Sequence, residues 1–302
     1  MRILVFGSNG LVGSNVKNVL LETSYECLFS SRKDTDLFDL NSTLETIKKF
    51  QPNIIINCAA RVGGINANDK NRTIFLLENL KINMNIFESI MGLDPIKVIN
   101  LGSSCIYPLD ALNPISESSI MSGKLEPTNS AYAMAKLTAI ELGNSIKKEF
   151  GHNVINLMPT NLYGKYDNFS KEDSHVIPGL IYRMHDAKIN SQKKFSVWGT
   201  GTPLREFLNA MDFAKSILFI IENNINDDLL NIGSNEEVSI KELASIIKKT
   251  INYEGEIIFD EEMPDGNPRK LLDSTKIFDY GWKPEIKLEQ GLKEAYEWFK
   301  SN

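Results

Sequence analysis

The chain has 302 residues, of which 42% are hydrophobic and 24% are charged, and its formal net charge is −6 at pH 7. This length is sufficient for one large domain or two smaller ones. The acidic balance argues against general nucleic-acid binding, which needs a basic surface. The three cysteines, Cys27, Cys58 and Cys105, argue against a disulfide framework and for a reducing, cytoplasmic compartment. We expect no signal peptide, no membrane span and no bound metal.

β-Strands and α-helices are predicted to alternate through the first half of the chain. Short apolar runs predict buried strands at 2–6, 26–30, 53–60, 97–103 and 153–159. Apolar residues at helical spacing predict helices at 11–23, 43–50, 73–91 and 131–149. This alternation is typical of an α/β fold with a doubly wound parallel sheet of the Rossmann type.

The regular alternation weakens after about residue 165. A helix is predicted after Pro178, a strand over 194–199, and helices over 239–251 and 288–300. We therefore predict an NADP-binding Rossmann domain over residues 1–164 and a smaller, mixed α/β substrate-binding portion over residues 165–302. A crossover of the second portion back to the sheet domain is expected.

The segment GSNGLVG places Gly7, Gly10 and Gly13 between the first predicted strand and the first predicted helix. Glycines at this spacing let the backbone turn sharply and approach a pyrophosphate, and the following helix N-terminus favours its negative charge. A plain strand-to-helix turn would give the same letters, but the surrounding strand–helix–strand pattern favours a dinucleotide site. The predicted contacts there also include Asn9, Leu11 and Val12.

The residues after the second predicted strand bear on the choice between NAD and NADP. NAD sites usually place an acid here that holds the ribose hydroxyls, whereas NADP sites need a cation for the 2′-phosphate. The chain reads FSSRKD at this place, so Arg32 favours NADP, the alternative being an arginine on a solvated loop. Asp39 is a candidate contact of the adenine.

Tyr132 and Lys136 form a Y-x-x-x-K pattern within a predicted helix. A spacing of four puts both side chains on one helix face. Tyrosine has a reference pKa of about 10, and a nearby ammonium would stabilise the phenolate and lower that pKa. We expect Tyr132 to exchange a proton with the substrate and Lys136 to hold the nicotinamide ribose as well.

This pair, the glycine-rich turn and a serine at the end of the fourth predicted strand resemble the extended short-chain dehydrogenase/reductase family. The catalytic set of that family is Ser/Thr, Tyr and Lys, and Ser103 matches the serine, which contacts the substrate oxygen at the reacting carbon. Longer blocks along nearly the whole chain resemble the GDP-L-fucose synthases of this family. They are AARVGGINAN (59–68), LGSSCIYP (101–108), LEPTNSAYAMAK (125–136), MPTNLYG (158–164), DNF (167–169), SHVIPGL (174–180), VWGTGTPLREFL (197–208) and PDGNPRKLLD (264–273).

The resemblance implies an NADPH-dependent enzyme that epimerises C3 and C5 of a GDP-4-keto-6-deoxy-hexose and reduces C4. The C4 ketone acidifies the protons at C3 and C5, and each inversion needs one group that removes a proton and another that returns one. The resemblance assigns these roles to Cys105 and His175, whose reference pKa values of about 8.5 and 6.5 lie near neutrality. Hydride then reaches C4 from NADPH, and Tyr132 gives a proton to the new hydroxyl.

The resemblance also implies further binding residues and a homodimer. The implied cofactor contacts are Leu101, Gly102, Lys136, Pro159, Leu162 and His175, and the implied GDP-sugar contacts are Ser104, Asn161, Arg183, Trp198, Arg205, Asp265, Arg269 and Lys270. Arginine can bind phosphate oxygens through two hydrogen bonds. Of the other histidines, His152 is expected to be an exposed structural residue and His185 to face solvent.

Three alternatives compete with this interpretation. A 4,6-dehydratase would carry an Asp-Glu pair directly after the Ser/Thr, where this chain has Ser104 and Cys105. A C4 reductase of a GDP-4-keto-heptose, with or without epimerase activity, would use the same cofactor site. A non-catalytic NADP-sensing protein would be expected to lose the tyrosine and lysine, and Tyr132 and Lys136 are both present.

Overall fold

The computed structural model describes residues 1–170, 174–263 and 265–302, so that Pro264 of the last sequence block lies outside the described residues. The β-strands are β1 (Arg2–Phe6), β2 (Glu26–Ser30), β3 (Ile54–Asn57), β4 (Lys97–Leu101), β5 (Asn153–Pro159), β6 (Asn161–Tyr163), β7 (Lys194–Trp198), β8 (Leu204–Asn209), β9 (Leu229–Ile232), β10 (Glu237–Ser239), β11 (Glu256–Asp260) and β12 (Arg269–Lys270). The α-helices are α1 (Leu11–Leu21), α2 (Leu40–Phe50), α3 (Ile65–Lys70), α4 (Arg72–Ile90), α5 (Ser130–Phe150), α6 (Val176–Ile189), α7 (Ala210–Glu222), α8 (Ile240–Ile251), α9 (Thr275–Asp279) and α10 (Leu288–Ser301).

The central sheet has the strand order β2-β1-β3-β4-β5-β9, and each neighbouring pair is parallel. Strand β3, IIIN, is buried along its whole length because helices cover both faces of the sheet. Apolar residues of α1 and α7 form the core on one face, and those of α2, α4 and α5 form it on the other. The predicted doubly wound α/β fold is confirmed.

All strands of this sheet point the same way, so the segments that follow their C-terminal ends meet at one edge. The glycine-rich turn follows β1, Arg32 lies just beyond β2, Cys58 follows β3, and Gly102 follows β4. In open parallel sheets, ligands bind in the crevice outside this edge. The fold therefore gathers the chemistry-bearing segments of the sequence in one place.

A smaller layer is built around β8, which pairs with β10, β12 and β6, while β7 and β11 form a separate parallel pair. Helices α6, α8 and α10 contribute apolar side chains to a second core beside these strands. Strand β9, from the later part of the chain, returns to the central sheet and pairs with β5. No helix in the described ranges is both long and apolar enough to cross a bilayer.

Three local predictions are wrong. Helix α6 begins at Val176 rather than after Pro178, because a proline in the first turn replaces an N–H that has no intrahelical acceptor. His152 is buried, and its Nδ1 accepts a hydrogen bond from the Ile96 N–H at 3.0 Å. His185 is half-buried, and its Nδ1 lies 3.0 Å from the Tyr296 hydroxyl of α10.

Candidate active site

The turn between β1 and α1 leaves no room for a side chain at Gly7 or at Gly13. Gly7 has φ +73°, and a Cβ atom there would lie 2.6 Å from the Ala59 nitrogen. A Cβ on Gly13 would lie 2.1 Å from the Gly7 carbonyl oxygen, so this glycine allows α1 to pack directly on the turn. Asn9 and Gly10 are exposed and Leu11 and Val12 half-exposed, and the N–H groups of the first helical turn lack intrahelical acceptors. This cradle fits the pyrophosphate of a dinucleotide.

Arg32 and Asp39 lie beyond the end of β2, with different local roles. The exposed Arg32 guanidinium carbon lies 4.7 Å from the centre of the Phe38 ring, which holds this cation beside the strand end. The carboxylate of Asp39 caps helix α2 by accepting hydrogen bonds from the Asn41 and Ser42 N–H groups at 3.1 and 3.3 Å. The predicted adenine contact of Asp39 would have to share an oxygen with this cap.

The ends of β4 and β5 carry further residues of the predicted cofactor set. Leu101 closes β4, and the Gly102 N–H donates to the Leu157 carbonyl of β5 at 2.8 Å. A Cβ on Gly102 would meet the Met158 side chain at 2.0 Å. Pro159 ends β5, and Leu162 lies in β6 just beyond it. These residues therefore lie at the same sheet edge as the glycine-rich turn.

Ser103 and Tyr132 face each other across this edge. Ser103 follows β4, and its hydroxyl accepts the Cys105 N–H at 3.2 Å. Burial raises the pKa of Tyr132, the nearby Cys105 raises it further, and hydrogen bonding with Ser103 acts in the opposite direction. The expected lowering of this pKa by Lys136 is not seen, because burial dominates. Tyr132 is therefore protonated at neutral pH and able to donate a proton.

Lys136 lies one turn after Tyr132 on α5, with a 2% exposed side chain. Its ammonium donates a hydrogen bond to the Leu101 carbonyl at 2.6 Å, and its nitrogen lies 5.8 Å from the centre of the Tyr132 ring. Burial lowers the pKa of Lys136 to about 8, while the neighbouring Cys58 acts in the raising direction. The ammonium is charged at neutral pH and lies next to the phenol.

Cys105 packs directly against the tyrosine side of the site. It lies in a small apolar cluster with Tyr132, Phe75 and Ala67. The rings of Phe75 and Tyr132 meet edge to face, with their centres 6.5 Å apart. The half-buried thiol therefore lies in the same apolar cluster as the Tyr132 ring.

His175 is the N-cap residue of α6. The residue is exposed at the surface, and desolvation by the surrounding protein atoms lowers the pKa of its ring. The preceding Ser174 carbonyl lies against Gly64, where a Cβ would approach it to 2.7 Å. Gly63, in turn, lies against Phe75 and Ala67. A chain of contacts thus connects His175 to the cluster that contains Cys105.

A second group of predicted residues gathers around the end of β7. The Arg183 guanidinium carbon lies 5.9 Å from the ring centre of Trp198, whose side chain is 53% exposed. Asp265 accepts hydrogen bonds from the N–H and hydroxyl of Thr200, at 3.0 and 2.7 Å. Burial lowers the pKa of Arg205, and nearby Asp265 opposes this effect. Arg183 beside an exposed indole and Arg205 beside Asp265 are both desolvated cations, and such a group can bind an anionic aromatic ligand such as a nucleotide.

The remaining predicted substrate residues have other partners. The Arg269 Nε and Nη2 atoms form a forked ion pair with the Glu237 carboxylate, at 2.6 to 3.0 Å. Lys270 lies beside Arg205 in the β8–β12 register. The Asn161 amide donates to the Glu206 carbonyl at 2.9 Å, and Ser104 is buried. The structure thus joins Arg183, Trp198, Arg205 and Asp265 most closely.

Comparison with known proteins places this architecture in a family. A sequence profile of the NAD dependent epimerase/dehydratase family matches residues 3–233. The chain belongs to this family. It is 42% identical to the GDP-L-fucose synthase of Sinorhizobium fredii over 301 residues, which cover 100% of this chain and 96% of that protein. The predicted resemblance to GDP-L-fucose synthases is therefore confirmed.

Solved structures from this epimerase family show the same fold. A GDP-L-fucose synthetase from Naegleria fowleri bound to NADP has a TM-score of 0.90 and 29% identity, covering 100% of this chain and 94% of that one. A GDP-6-OMe-4-keto-L-xylo-heptose reductase from C. jejuni has a TM-score of 0.92 and 27% identity, covering 99% and 97%. The chain is thus similar both to a fucose synthetase and to a heptose reductase.

Two residues close to the candidate active site were not predicted from the sequence to belong to it. Phe75 looks like any apolar residue of an amphipathic helix, yet it supports both the Tyr132 ring and the Cys105 thiol. Cys58 lies close enough to Lys136 to influence its pKa, and burial raises the pKa of its own thiol to about 12. The position of Cys58 at the end of a buried strand was the feature of the sequence that could have indicated its place at the site.

Proposed function

We propose that this chain is an NADPH-dependent enzyme that epimerises C3 and C5 of a GDP-4-keto-6-deoxy-hexose and reduces its C4 ketone. The observation that carries the proposal is that Cys105 packs against Tyr132, so a thiol lies beside a complete Ser103–Tyr132–Lys136 reduction set. A plain reductase needs only the set of three. The names of the GDP-L-fucose synthases, about 40% identical, point to the same substrate class.

NADPH fits the cofactor side of the site. The cradle at Gly7 and Gly13 suits the pyrophosphate, and exposed Arg32 offers a cation for the 2′-phosphate. Lys136 would hold the nicotinamide ribose from the floor of the cleft. When bound, NADPH supplies the hydride for C4. The relative from Naegleria fowleri that binds NADP supports this assignment.

The protein groups would perform the proton transfers of the reaction. His175 has a lowered pKa and is neutral at pH 7, so its ring nitrogen can accept a proton from C3 or C5. The Cys105 thiol can return a proton from the other side of the sugar ring. In the reduction, Ser103 would hold the C4 oxygen and protonated Tyr132 would give it a proton as the C–H bond forms. The charged Lys136 stabilises the resulting phenolate.

The GDP portion would occupy the second group of residues. Arg183 and Arg205 would neutralise the diphosphate, and Trp198 offers an exposed ring face to the sugar nucleotide. Asp265, which is fixed by Thr200, is an acceptor for ligand hydroxyl or N–H groups. Asn161 and Lys270 lie on the neighbouring strands β6 and β12.

A second candidate function is C4 reduction of a GDP-4-keto-heptose, with or without epimerisation. The observation that favours it is the TM-score of 0.92 to the heptose reductase from C. jejuni. Both candidates use the same cofactor site and the same GDP site. They differ in the sugar that is accepted and in whether Cys105 and His175 still move protons.

Incubation in heavy water separates these candidates. GDP-4-keto-6-deoxy-mannose is mixed with the protein with and without NADPH, and deuterium is located by NMR while NADPH oxidation is followed by absorbance. Deuterium at C3 and C5 together with oxidation of NADPH supports the epimerase/reductase. Oxidation without deuterium indicates a plain reductase. No turnover of this sugar but turnover of a GDP-4-keto-heptose would favour the second candidate. Binding of both sugars without turnover of either would indicate a non-catalytic sensor.

We also propose that the protein works in a reducing, cytoplasmic compartment. There, we propose, two copies of the chain associate through α4 and α5. These helices pack side by side and expose apolar residues on their outer faces, among them Ile74, Leu77 and Met84 on α4 and Met134 on α5. Such a patch is typical of an interface. Light scattering would give the mass of a dimer for the native chain and of a monomer for Leu77→Arg.

A further inference from the structure

A loop with no regular structure crosses the site between the cofactor cradle and His175. We define it as loop 61–64, RVGG, between β3 and α3. It begins two residues after Ala59, which crowds Gly7, and ends at Gly64, which lies against the Ser174 carbonyl. Its third residue, Gly63, lies against Phe75 and Ala67. The loop therefore touches both the cluster that holds Cys105 and the residue that precedes His175.

The first residue of the loop is held by a buried amide. Asn79 of α4 is 0% exposed, and its Oδ1 accepts a hydrogen bond from the Arg61 N–H at 3.0 Å. Its Nδ2 donates to the Arg61 carbonyl at 3.0 Å and to the Phe75 carbonyl at 2.7 Å. One carboxamide thus binds both polar groups of the Arg61 backbone, as a neighbouring strand would.

The other end of the loop is held by a second amide. Asn68 of α3 is 7% exposed, and its Nδ2 donates to the Gly63 carbonyl at 2.7 Å and to the Gly64 carbonyl at 3.1 Å. Both glycine peptides are therefore fixed from the protein side. The Arg61 side chain adds two weaker contacts. It forms a partly exposed ion pair with Glu78 at 3.5 Å, a kind of pair that contributes little, and its guanidinium carbon lies 5.6 Å from the centre of the Phe75 ring.

The two amides supply most of the hydrogen bonds that fix the path of the loop, and the Asn68 N–H adds one to the Gly64 carbonyl at 3.1 Å. Glycines have many accessible backbone conformations, so an unrestrained V-G-G segment would sample several. A buried carboxamide has a planar, rigid arrangement of donors and acceptor, and leaving its backbone partners unpaired is costly. The position of Ser174 and His175 relative to Cys105 depends on this path, since the loop lies between them.

We propose that Asn68 and Asn79 are positioning residues that hold loop 61–64 in the shape that sets the spacing of Cys105 and His175 across the sugar ring. This proposal rests on the proposed epimerase/reductase function. Epimerisation requires both groups at the correct distance from C3 and C5. Reduction depends on Ser103, Tyr132 and Lys136, which β4 and α5 carry and which the loop reaches only indirectly, through the contact of Phe75 with the Tyr132 ring. A displacement of about 1 Å can cost roughly 100-fold in rate. Loosening the loop therefore impairs epimerisation more than reduction.

The test variant is Asn79→Asp. It keeps the shape and the acceptor for the Arg61 N–H, but replaces the donor with an oxygen that faces the carbonyls of Arg61 and Phe75. The matched control is Asn83→Asp, one turn further on α4 and 2% exposed. The Asn83 amide contacts Asn57 and the Asn79 carbonyl but not the loop. Both variants place a carboxyl in the same core, so both are expected to lose stability.

The readout is the fraction of reduced sugar that carries no deuterium at C3 and C5 when GDP-4-keto-6-deoxy-mannose and NADPH react in heavy water. We expect this fraction to rise roughly 10–100-fold in Asn79→Asp relative to the native chain, and to stay at the native value in Asn83→Asp. Acidic pH should reverse the rise in Asn79→Asp, because a protonated carboxyl can again donate to the Arg61 carbonyl. Asn83→Asp, which also buries a carboxyl but does not contact the loop, should show no such change of this fraction with pH, and an equal change in both variants would contradict the positioning role.

A second variant keeps the proposal testable if Asn79→Asp fails to fold. Asn68→Ala removes both hydrogen bonds to the glycine carbonyls at the partly exposed end of the loop, and should raise the same fraction. Equal fractions in Asn79→Asp, Asn68→Ala and Asn83→Asp would overturn the positioning role while leaving the proposed function intact. A native chain that reduces the sugar without any label, or does not turn it over, would overturn both.

Discussion

The ammonium nitrogen of Lys136 lies 2.6 Å from the backbone carbonyl oxygen of Leu101, and this hydrogen bond connects helix α5 to the end of β4. The carbonyl is the last of the strand, and Ser103 follows two residues later. Because the lysine is almost wholly buried, its charge is held by this oxygen and by little solvent. The arrangement keeps a cation beside Tyr132 at the expense of folding stability.

Replacing Lys136 should reveal that cost. The pKa of Lys136 is about 8 in the folded chain and 10.5 in its ordinary state, so between these pH values the unfolded chain binds more protons. The unfolding free energy of the native chain should therefore rise with pH over this window relative to Lys136→Met, by on the order of 3 kcal/mol in total. Below pH 8 the difference should be constant. Chemical denaturation at several pH values measures it, and a flat difference up to pH 10.5 would contradict the lowered pKa.

Cys105→Ala should slow the inversion of C3 and C5 while retaining NADPH binding, even if His175 alone still exchanges protons with solvent. The thiol is the proposed proton donor, and loss of a positioned acid or base typically costs about 10²–10⁴-fold in rate. Cys27→Ala is the matched control, since Cys27 is also half-buried but lies on β2. NMR of the recovered sugar gives the configuration at C3 and C5 as well as the deuterium content. Inversion at the native rate in Cys105→Ala would exclude the thiol from the chemistry.

Arg32→Gln should weaken NADPH far more than NADH. A hydrogen bond to a charged group contributes about 1.5–3 kcal/mol, which corresponds to roughly 10–100-fold in KM for NADPH. The KM for NADH should change little, because NADH has no 2′-phosphate. Lys33→Gln, which removes the neighbouring exposed cation, tests whether the weaker NADPH binding results merely from the loss of one positive charge in this segment. Similar losses in both variants would remove the specific role of Arg32.

Arg205→Met should weaken GDP binding roughly 10–100-fold, as expected for one lost charged hydrogen bond. Arg269→Met should have a smaller effect, since its guanidinium already binds Glu237. Titration calorimetry with GDP compares the two directly. If Arg269→Met lost more affinity than Arg205→Met, the ion pair with Glu237 would have to open for the ligand.

Most of the central sheet could be predicted because its strands are short apolar runs with polar ends. The same logic located the active-site edge, since parallel strands bring Gly7, Gly102 and Ser103 together wherever the strands are correct. The pairing of Tyr132 with Lys136 followed from helix geometry alone. Residues that act through local spacing were therefore within reach of the sequence.

Residues whose role depends on partners far away in the chain could not be predicted from the sequence. His152 was predicted to be an exposed turn residue, but its ring accepts a hydrogen bond from the Ile96 N–H, 56 positions away in the chain. Tyr132 was expected to have a lowered pKa, and burial by Phe75 and the surrounding elements reversed the direction. Asn79 was not singled out in the sequence, although its side chain binds the backbone of Arg61. Each of these outcomes is decided by packing between segments far apart in the chain.

The return of β9 to the central sheet has a consequence for biosynthesis. Strand β5 pairs on one side with β4 and on the other only with residues 229–232, which leave the ribosome some seventy residues later. Until then, β5 presents an unpaired apolar edge, a surface on which nascent chains aggregate. We expect the nascent chain to need protection by a chaperone during this interval.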